Sequence, residues 1–234
     1  SHFLEHMMFK GSRRFGKGEV DRITTQLGGT NNAFTAYDHT GYWFELASDR
    51  WERALEIEAD RMRHLSLAKA EFESEREVVL EELAMGLDDP WRRLTERVQA
   101  ALFERHPYRR PIIGHPDALK ALSVGDMRDY YRRFYHPGNA VLVISGDVTR
   151  AAAMRAVRKH FAALPPGPPR ASADCFRPAP DPQAGEQRVE MRWDDPGRRL
   201  CMAWPAAAVG SDDDWTLDVL STLLAGGRTA RLTR

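Results

Sequence analysis

The sequence has little cysteine, no net charge and no long apolar run, and each of these features excludes a class of protein. Two cysteines among 234 residues cannot build a disulfide-rich scaffold and are too few for an all-cysteine zinc site. They leave the redox compartment open, because one disulfide and two free thiols both fit. The balance of 34 basic against 34 acidic residues lacks the positive charge typical of a nucleic-acid-binding protein. The longest aliphatic run, within residues 139–145, is far too short to cross a bilayer.

The composition that remains is that of an ordinary globular protein, with 42% apolar, 29% charged and 9% aromatic residues. A length of 234 residues favours one or two domains. The chain begins at Ser1 without a methionine, a basic leader or a signal peptide, and it stops soon after a helical stretch and the pair Gly226-Gly227. We therefore expect a piece of a longer protein, truncated at both ends. The compartment stays open among bacterial periplasm, bacterial cytoplasm and mitochondrion.

Hydrophobic periodicity and breaker residues divide the chain into an α+β unit, a linker and the start of a second α+β unit. Apolar residues at helical spacing predict helices over residues 1–10, 19–27, 49–65, 68–87, 90–103, 124–135, 149–164 and 215–224. Aromatic and β-branched runs predict strands over residues 30–37, 40–47, 140–144, 188–193 and 200–204. The first two strands are expected to form a hairpin or to be two neighbouring strands, and the third to be buried on both faces. Clustered prolines predict an extended linker, which gives domains of 1–164 and 186–234 around a linker of 165–185.

The first residues carry the sharpest pattern, His2-Phe3-Leu4-Glu5-His6. Residues four apart share one face of a helix, so His2 and His6 can direct their imidazoles at one metal ion, with Glu5 leaning toward the same face. Two histidines leave a tetrahedral zinc short of ligands, so at least one more must come from a distant element. The spacing H-x-x-E-H occurs in zinc proteases. Solvated histidines on an amphipathic helix are the alternative interpretation.

A later acidic stretch can supply the missing ligand, and helical phase selects among its carboxylates. Glu75 and Glu82 are about two turns apart and share a face, whereas Glu81 lies roughly 100° away from Glu82. The apolar neighbours Val78 and Val79 argue against full solvation of this face. A solvated acidic helix is the alternative.

Together the two motifs resemble those of the inverzincin metallopeptidases, the M16 family of pitrilysin, insulin-degrading enzyme and the mitochondrial processing peptidase. Residues 7–11 resemble the family's continuation of the metal-binding helix. Residues 75–82 resemble its distal helix, whose last Glu ligates zinc. Further similar segments lie at 32–35, 108–114 and 135–139, so the resemblance runs through nearly all of residues 1–164.

The resemblance implies an α+β sandwich of the type shared by LuxS and the mitochondrial processing peptidase, with a sheet packed against helices. It implies that His2, His6 and Glu82 hold one Zn²⁺ with water in the fourth position. Glu5 is then the general base that activates the metal-bound water for peptide hydrolysis. Glu75 is implied as a second carboxylate of the catalytic site, one that orients a ligand histidine. A simple surface acid is the alternative for Glu75.

The resemblance also assigns a substrate-binding strand, formed by Asn32, Ala33, Phe34 and Thr35. In the family the matching strand is an open sheet edge that pairs with the backbone of an extended peptide. Such pairing recognises an extended backbone and depends little on the amino-acid sequence of the peptide, so extended peptides or unfolded proteins are the expected substrates. The alternative is a strand merely packed in the sheet, with Phe34 and Tyr37 as core residues, and the two interpretations are compatible with each other.

The function predicted from these features is that of a zinc-dependent metalloendopeptidase. In single-chain members of the family a second unit completes the site, so we expect a second M16 unit from the same chain or from a partner subunit. The 234 residues alone are expected to be a poor or inactive peptidase. Two alternatives are a non-catalytic partner or scaffold subunit, which typically loses the metal residues retained here, and a purely structural zinc, which calls for four protein ligands.

Overall fold

The computed structural model describes residues 1–168 and 185–232. Two compact units are present. One consists of Ser1–Arg93 with the described part of Arg110–Pro180, and the other of Leu94–Arg109 with the described part of Asp181–Arg234. Residues 169–184 of the predicted linker over residues 165–185 lie outside the described residues, so the domain boundaries inferred from the sequence remain a prediction.

Helices dominate the first unit, and most of them follow the predicted series. They are α1 (His2–Met7), α2 (Glu19–Gln26), α3 (Glu52–His64), α4 (Lys69–Leu87), the start of α5 (Pro90–Leu102), α6 (Pro116–Ala121), α7 (Val124–Phe134) and α8 (Arg150–Phe161). The sequence patterns do not predict α6, because the surrounding prolines and glycine are typical of a loop. Its signal is Pro116 itself, which stands in the first turn of the helix, where a missing N–H costs little.

The predicted hairpin is present as two antiparallel strands, β1 (Thr30–Thr35) and β2 (Thr40–Glu45). Thr35 lies opposite Thr40 next to the turn, and Thr30 lies opposite Glu45 at the far end. Threonine flanks the turn on both strands and aromatic residues are concentrated in β2, as expected of a half-exposed pleated surface. The fold class is therefore mixed α+β, with a small sheet beside many helices.

Two glycines make the entry into β1 possible. Gly28 has φ +69°, a left-handed conformation that ends α2, and its N–H donates to the Thr25 carbonyl oxygen. Gly29 then passes so close to β2 that an added Cβ would lie 2.3 Å from the Glu45 carbonyl oxygen. Any side chain at position 29 would push the two strands apart at this end.

The main hydrophobic core packs α1 against α4. The Phe3 ring stacks on that of Phe72, with ring centroids 4.8 Å apart, and Leu4 and Met7 are almost fully buried beside it. A helix of six residues is too short to be stable by itself, so this packing is what holds α1 in place. The core thereby sets the rotation of α1 and the direction of its remaining side chains.

Three predicted strands are absent. Residues 140–144, 188–193 and 200–204 form no strand in the structure. Val141 and Val143 are 91% and 79% exposed, so the expectation of a strand buried on both faces is wrong here. A strand exists only with a hydrogen-bonded neighbour, and within the described ranges none of these segments pairs with another. Apolar β-branched composition predicts local extension, but it carries no information on the partner.

Among its described residues the second unit contains the rest of α5, a short 3-10 helix (Pro107–Arg109) and α9 (Asp212–Ala225), which includes the predicted residues 215–224. Three aspartates in the first turn of α9 interact favourably with the positive end of the helix dipole. No residue of α9 is buried, and Trp215 is 70% exposed. Among the described helices, none has both the length and the apolar composition that a membrane crossing requires.

Candidate metal centre

The two histidines of the N-terminal motif lie side by side on α1. Because Phe3, Leu4 and Met7 are buried in the core, the helix directs His2 and His6 away from it. Their ring centroids are 4.7 Å apart, and their side chains retain only 15% and 22% of their exposure. The helix therefore presents two half-buried imidazoles to one point in space.

Glu82 on α4 meets these imidazoles from the other side. Its Oε1 lies 3.7 Å from His2 Nε2, and its Oε2 lies 3.4 Å from His6 Nε2. Ligand atoms bound at about 2.1 Å to a tetrahedral zinc lie about 3.4 Å from one another. The three side chains thus fit such an ion in donor type and in spacing. Within the described residues, no other group of His, Cys, Asp and Glu side chains brings three ligand atoms this close, and the exposed Glu81 does not belong to this one.

The face of α4 that carries Glu82 is less shielded than the sequence suggests. The Glu82 side chain is 41% exposed and Val78 is 44% exposed. The buried stripe of α4 consists instead of Phe72, Glu75, Val79, Leu83 and Gly86. Glu82 borders this stripe and Val78 lies outside it. The cluster is consequently open to solvent on the Glu82 side, which is what a site that admits a substrate requires.

The two histidines differ in how their second nitrogen is held. His6 Nδ1 lies 2.9 Å from Glu75 Oε1, whereas His2 Nδ1 is buried without a hydrogen-bond partner among the described residues. Burial lowers the pKa of His2, although the Glu82 carboxylate opposes that shift. Its burial and the missing partner of its Nδ1 both favour a neutral imidazole for His2, and the neutral form is the one that binds a metal. The Glu75 side chain is only 6% exposed, so the alternative of a simple surface acid is wrong.

Glu5 lies on α1 between the two histidines but outside the three-residue cluster, as far as the described part of the chain shows. Its carboxylate accepts a hydrogen bond from the Thr35 hydroxyl of β1. Thr35 Oγ1 is in turn 3.2 Å from Thr40 Oγ1, which is 2.7 Å from Ser1 Oγ. Sequence reasoning missed Thr40, because nothing in a local pattern indicates that two threonines meet across a hairpin beside Glu5.

A pair of tyrosines ties the hairpin to the end of α7. The hydroxyls of Tyr42 and Tyr135 are 2.8 Å apart, and burial raises the pKa of both, that of Tyr135 to about 12. The Arg61 guanidinium lies 4.7 Å from the centre of the Tyr42 ring, in cation–π contact. Both phenols therefore stay protonated at neutral pH and serve as neutral hydrogen-bonding groups.

The outer edge of β1 is unpaired within the described residues, because β2 occupies one side only. The Ala36 N–H donates to the His39 carbonyl oxygen next to the turn. Hydrogen-bonded pairs alternate along an antiparallel ladder, so the N–H groups of Ala33 and Thr35 point away from β2. Consistently, the Ala33 N–H is bonded by the side-chain oxygen of Asn32, at 2.9 Å.

The side chains of the predicted substrate-binding strand alternate between two environments. Asn32 and Phe34 are exposed, whereas Ala33 and Thr35 are half-buried. Phe34 and Tyr37 retain 49% and 42% of their exposure, so the alternative that these rings belong to the core is wrong. Thr35 is the residue of the strand that contacts the candidate centre, through its hydrogen bond to Glu5. The exposed side chains of the strand lie on its other face, away from the centre.

Comparisons with known proteins bear on the family of this chain. The model of the insulinase domain, "Insulinase (Peptidase family M16)", matches residues 1–116. The model of the "Peptidase M16 inactive domain" matches residues 121–234. The chain therefore belongs to peptidase family M16. His2, Glu5, His6 and Glu82 all lie in the part that matches the insulinase domain.

Curated relatives of this chain are named as zinc proteases. An uncharacterized zinc protease of Mycobacterium leprae is 32% identical over 242 residues, which cover 99% of this chain and 52% of that protein. Zinc protease PqqE of Helicobacter pylori is 29% identical over 239 residues, with the same coverage. The chain thus spans about half the length of the curated relatives it matches.

Solved structures show the same fold. A crystal structure of a protease from Helicobacter pylori superposes with a TM-score of 0.82 at 26% identity, covering 99% of this chain and 56% of that one. The periplasmic protease PqqL from Escherichia coli gives a TM-score of 0.65 at 26% identity, covering 71% of this chain and 19% of that one. Both structures extend well beyond the part that matches.

Proposed function

We propose that the protein is a zinc-dependent metalloendopeptidase that hydrolyses peptide bonds of extended peptides or unfolded proteins. One observation carries the proposal: His2, His6 and Glu82 bring three metal-ligating atoms together at zinc-like spacing, with Glu5 beside them but outside the cluster. The zinc protease names of the relatives support the same class.

Each side chain of the centre has a distinct role in this proposal. His2, His6 and Glu82 would hold Zn²⁺, which when bound would supply the Lewis acidity that acidifies a water molecule and polarises the scissile carbonyl. Glu5 accepts the proton of the attacking water and delivers it to the leaving amine. Glu75 holds the His6 ring through Nδ1, so that Nε2 faces the metal.

Substrate binding is assigned to the outer edge of β1, formed by Asn32, Ala33, Phe34 and Thr35. Its outward N–H and C=O groups offer the hydrogen bonds that an extended peptide needs to add a strand. The Asn32 side chain, which occupies the Ala33 N–H, must turn aside when a peptide pairs there. Backbone pairing of this kind selects an extended shape, which favours peptides and unfolded proteins over folded ones.

A second M16 unit, from the same chain or from a partner subunit, is proposed to complete the active site. The proposal is supported by relatives and solved structures about twice the length of this chain. The alternative of a non-catalytic partner subunit is disfavoured by the retention of Glu5, which a scaffold does not need. A purely structural zinc is disfavoured because three ligands, not four, gather in the described residues.

Zinc content and peptide hydrolysis, measured together, test the proposal. The protein is expressed from its complete reading frame, its zinc is counted by mass spectrometry, and cleavage of a fluorogenic peptide is followed before and after chelation. We expect one zinc per catalytic unit and hydrolysis that chelation abolishes and added Zn²⁺ restores. Protein without zinc or hydrolysis indicates the partner-subunit alternative. Zinc without hydrolysis of any peptide or unfolded protein indicates a structural ion.

A further inference from the structure

Lys10 lies just beyond α1 and contacts the carboxylate that holds His6. Its Nζ is 2.5 Å from Glu75 Oε2, while Glu75 Oε1 is 2.9 Å from His6 Nδ1. The two oxygens of one buried carboxylate thus have one partner each. The Lys10 N–H donates to the Met7 carbonyl oxygen, in a turn that follows α1.

We propose that Lys10 is a positioning residue of the metal centre, acting through Glu75 on His6. This inference rests on the proposed zinc site but assigns a residue outside it. A buried carboxylate is costly unless its charge is paired and both oxygens are hydrogen-bonded. The Glu75 side chain is 6% exposed and that of Lys10 is 23% exposed, so solvent screens the pair weakly.

The ion pair fixes the orientation of the Glu75 carboxylate and makes it an acceptor of hydrogen bonds only. Paired with an ammonium group, the carboxylate accepts hydrogen bonds and donates none. His6 must then carry its proton on Nδ1, which leaves the lone pair of Nε2 free. Nε2 is the nitrogen that faces Glu82, at 3.4 Å from Oε2. Lys10 therefore selects the histidine tautomer that can bind the metal.

The contrast with His2 shows why the effect falls on one ligand. No described residue bonds His2 Nδ1, so His6 is the histidine whose ring is held by hydrogen bonding. Loss of Lys10 would leave Glu75 Oε2 without its cation and free the carboxylate to rotate away from His6. Outer partners of metal ligands typically contribute about 10- to 100-fold in metal affinity.

The chain offers a matched control in Lys17. Its Nζ pairs with Glu71 on α4, one turn before Glu75, at 2.7 Å. The Lys17 side chain is 57% exposed and that of Glu71 is 30% exposed, and exposed ion pairs of this kind contribute little. Glu71 contacts neither histidine among the described residues. Lys17→Met therefore removes the same kind of charge pair without reaching the metal centre.

Zinc affinity, measured by competition with a chromogenic chelator, tests the inference without any assay of hydrolysis. The variants are made in the protein from its complete reading frame. We expect Lys10→Met to bind zinc about 10- to 100-fold more weakly than wild type. Lys17→Met should bind as wild type does, and Lys10→Arg should stay within a few-fold of it. In a Glu75→Gln background, the further change Lys10→Met should have no additional effect, because its route to His6 is already altered.

The outcomes separate the two proposals. Wild-type protein that binds no zinc contradicts the proposed function itself. If the wild-type protein binds zinc and Lys10→Met binds it with equal affinity, the result contradicts the role of Lys10 but not the proposed function. An equal loss of affinity in Lys17→Met, or an undiminished effect in the Glu75→Gln background, also overturns it. If circular dichroism shows that Lys10→Met is unfolded, Lys10→Gln keeps a polar side chain there and is expected to weaken zinc binding likewise.

Discussion

The hydroxyl of Thr35 on β1 donates a hydrogen bond to the carboxylate of Glu5 on α1. This contact crosses from the proposed substrate strand to the proposed general base. A carboxylate on a helix has several rotamers, and a donor on a neighbouring strand selects one of them. The strand that would bind the peptide therefore also orients the carboxylate that would activate the attacking water.

The first prediction follows from this contact. Thr35→Val keeps the shape of the side chain but removes the donor, so kcat for a fluorogenic peptide should fall roughly 10-fold, with KM and zinc content unchanged. Thr35→Ser should retain most of the activity. Thr30→Val, on the opposite face of the same strand, is the control. A rise in KM at constant kcat would show instead that Thr35 acts by binding substrate.

The second prediction separates the base from the ligands. Glu5→Gln should keep full zinc stoichiometry and lose hydrolysis by at least about 100-fold, because an amide cannot accept the proton. His6→Ala is the comparison, since it removes a ligand and should release zinc as well. Loss of zinc from purified Glu5→Gln protein would refute the assignment of Glu5 as a base.

Sequence reasoning succeeded where one regular helix fixes the geometry. The four-residue spacing of His2 and His6 and the phase of Glu82 against Glu81 both follow from 3.6 residues per turn. The family resemblance linked the two helices, which spacing alone could not do. The contacts of Lys10 with Glu75 and of Thr35 with Glu5 join distant segments, and no local pattern encodes them.

For the strands, the composition of a single segment is not enough to predict the structure. Residues 30–45 formed the predicted hairpin because a short turn brings its two strands together. Residues 140–144 have stronger β-branched composition, yet no strand forms, since pairing depends on a distant partner. Val78 was misjudged for a related reason: its apolar side chain indicates burial, but it lies off the buried stripe of α4.

The third prediction concerns a buried tyrosine of the core that supports α1. The Tyr131 hydroxyl donates to the Arg61 carbonyl oxygen at 2.8 Å and accepts from the Leu65 N–H at 3.2 Å. Tyr131→Phe leaves both backbone groups without this partner, so the free energy of unfolding at pH 7 should fall by about 1–3 kcal/mol. Tyr130→Phe, next to it on α7, is the control and should change it little.

The free energy of unfolding at alkaline pH provides a second test of the role of Tyr131. Burial raises the pKa of Tyr131 from 10.0 to about 12, so the folded state keeps this proton where the unfolded state has lost it. The stabilisation is therefore complete below pH 10 and is lost as pH rises through 12. Urea unfolding at a series of pH values should show a shallower decline between pH 10 and 12 in Tyr131→Phe than in wild type. Parallel curves would contradict the shifted pKa.

The last prediction tests which of two adjacent carboxylates closes the metal centre. Glu81 and Glu82 stand roughly 100° apart around α4, so only one of them can face the histidines. Glu82 lies 3.4 Å from His6 Nε2, whereas Glu81 is exposed and outside the cluster. Glu82→Gln should weaken zinc binding by more than the roughly 10- to 100-fold typical of losing an outer partner, because a direct ligand is removed. Glu81→Gln removes the same charge from the same helix and should leave zinc affinity unchanged, which excludes a general loss of negative charge as the cause. Equal losses in the two variants, or a larger loss in Glu81→Gln, would show that the helical phase has been assigned wrongly and that Glu82 is not the third ligand.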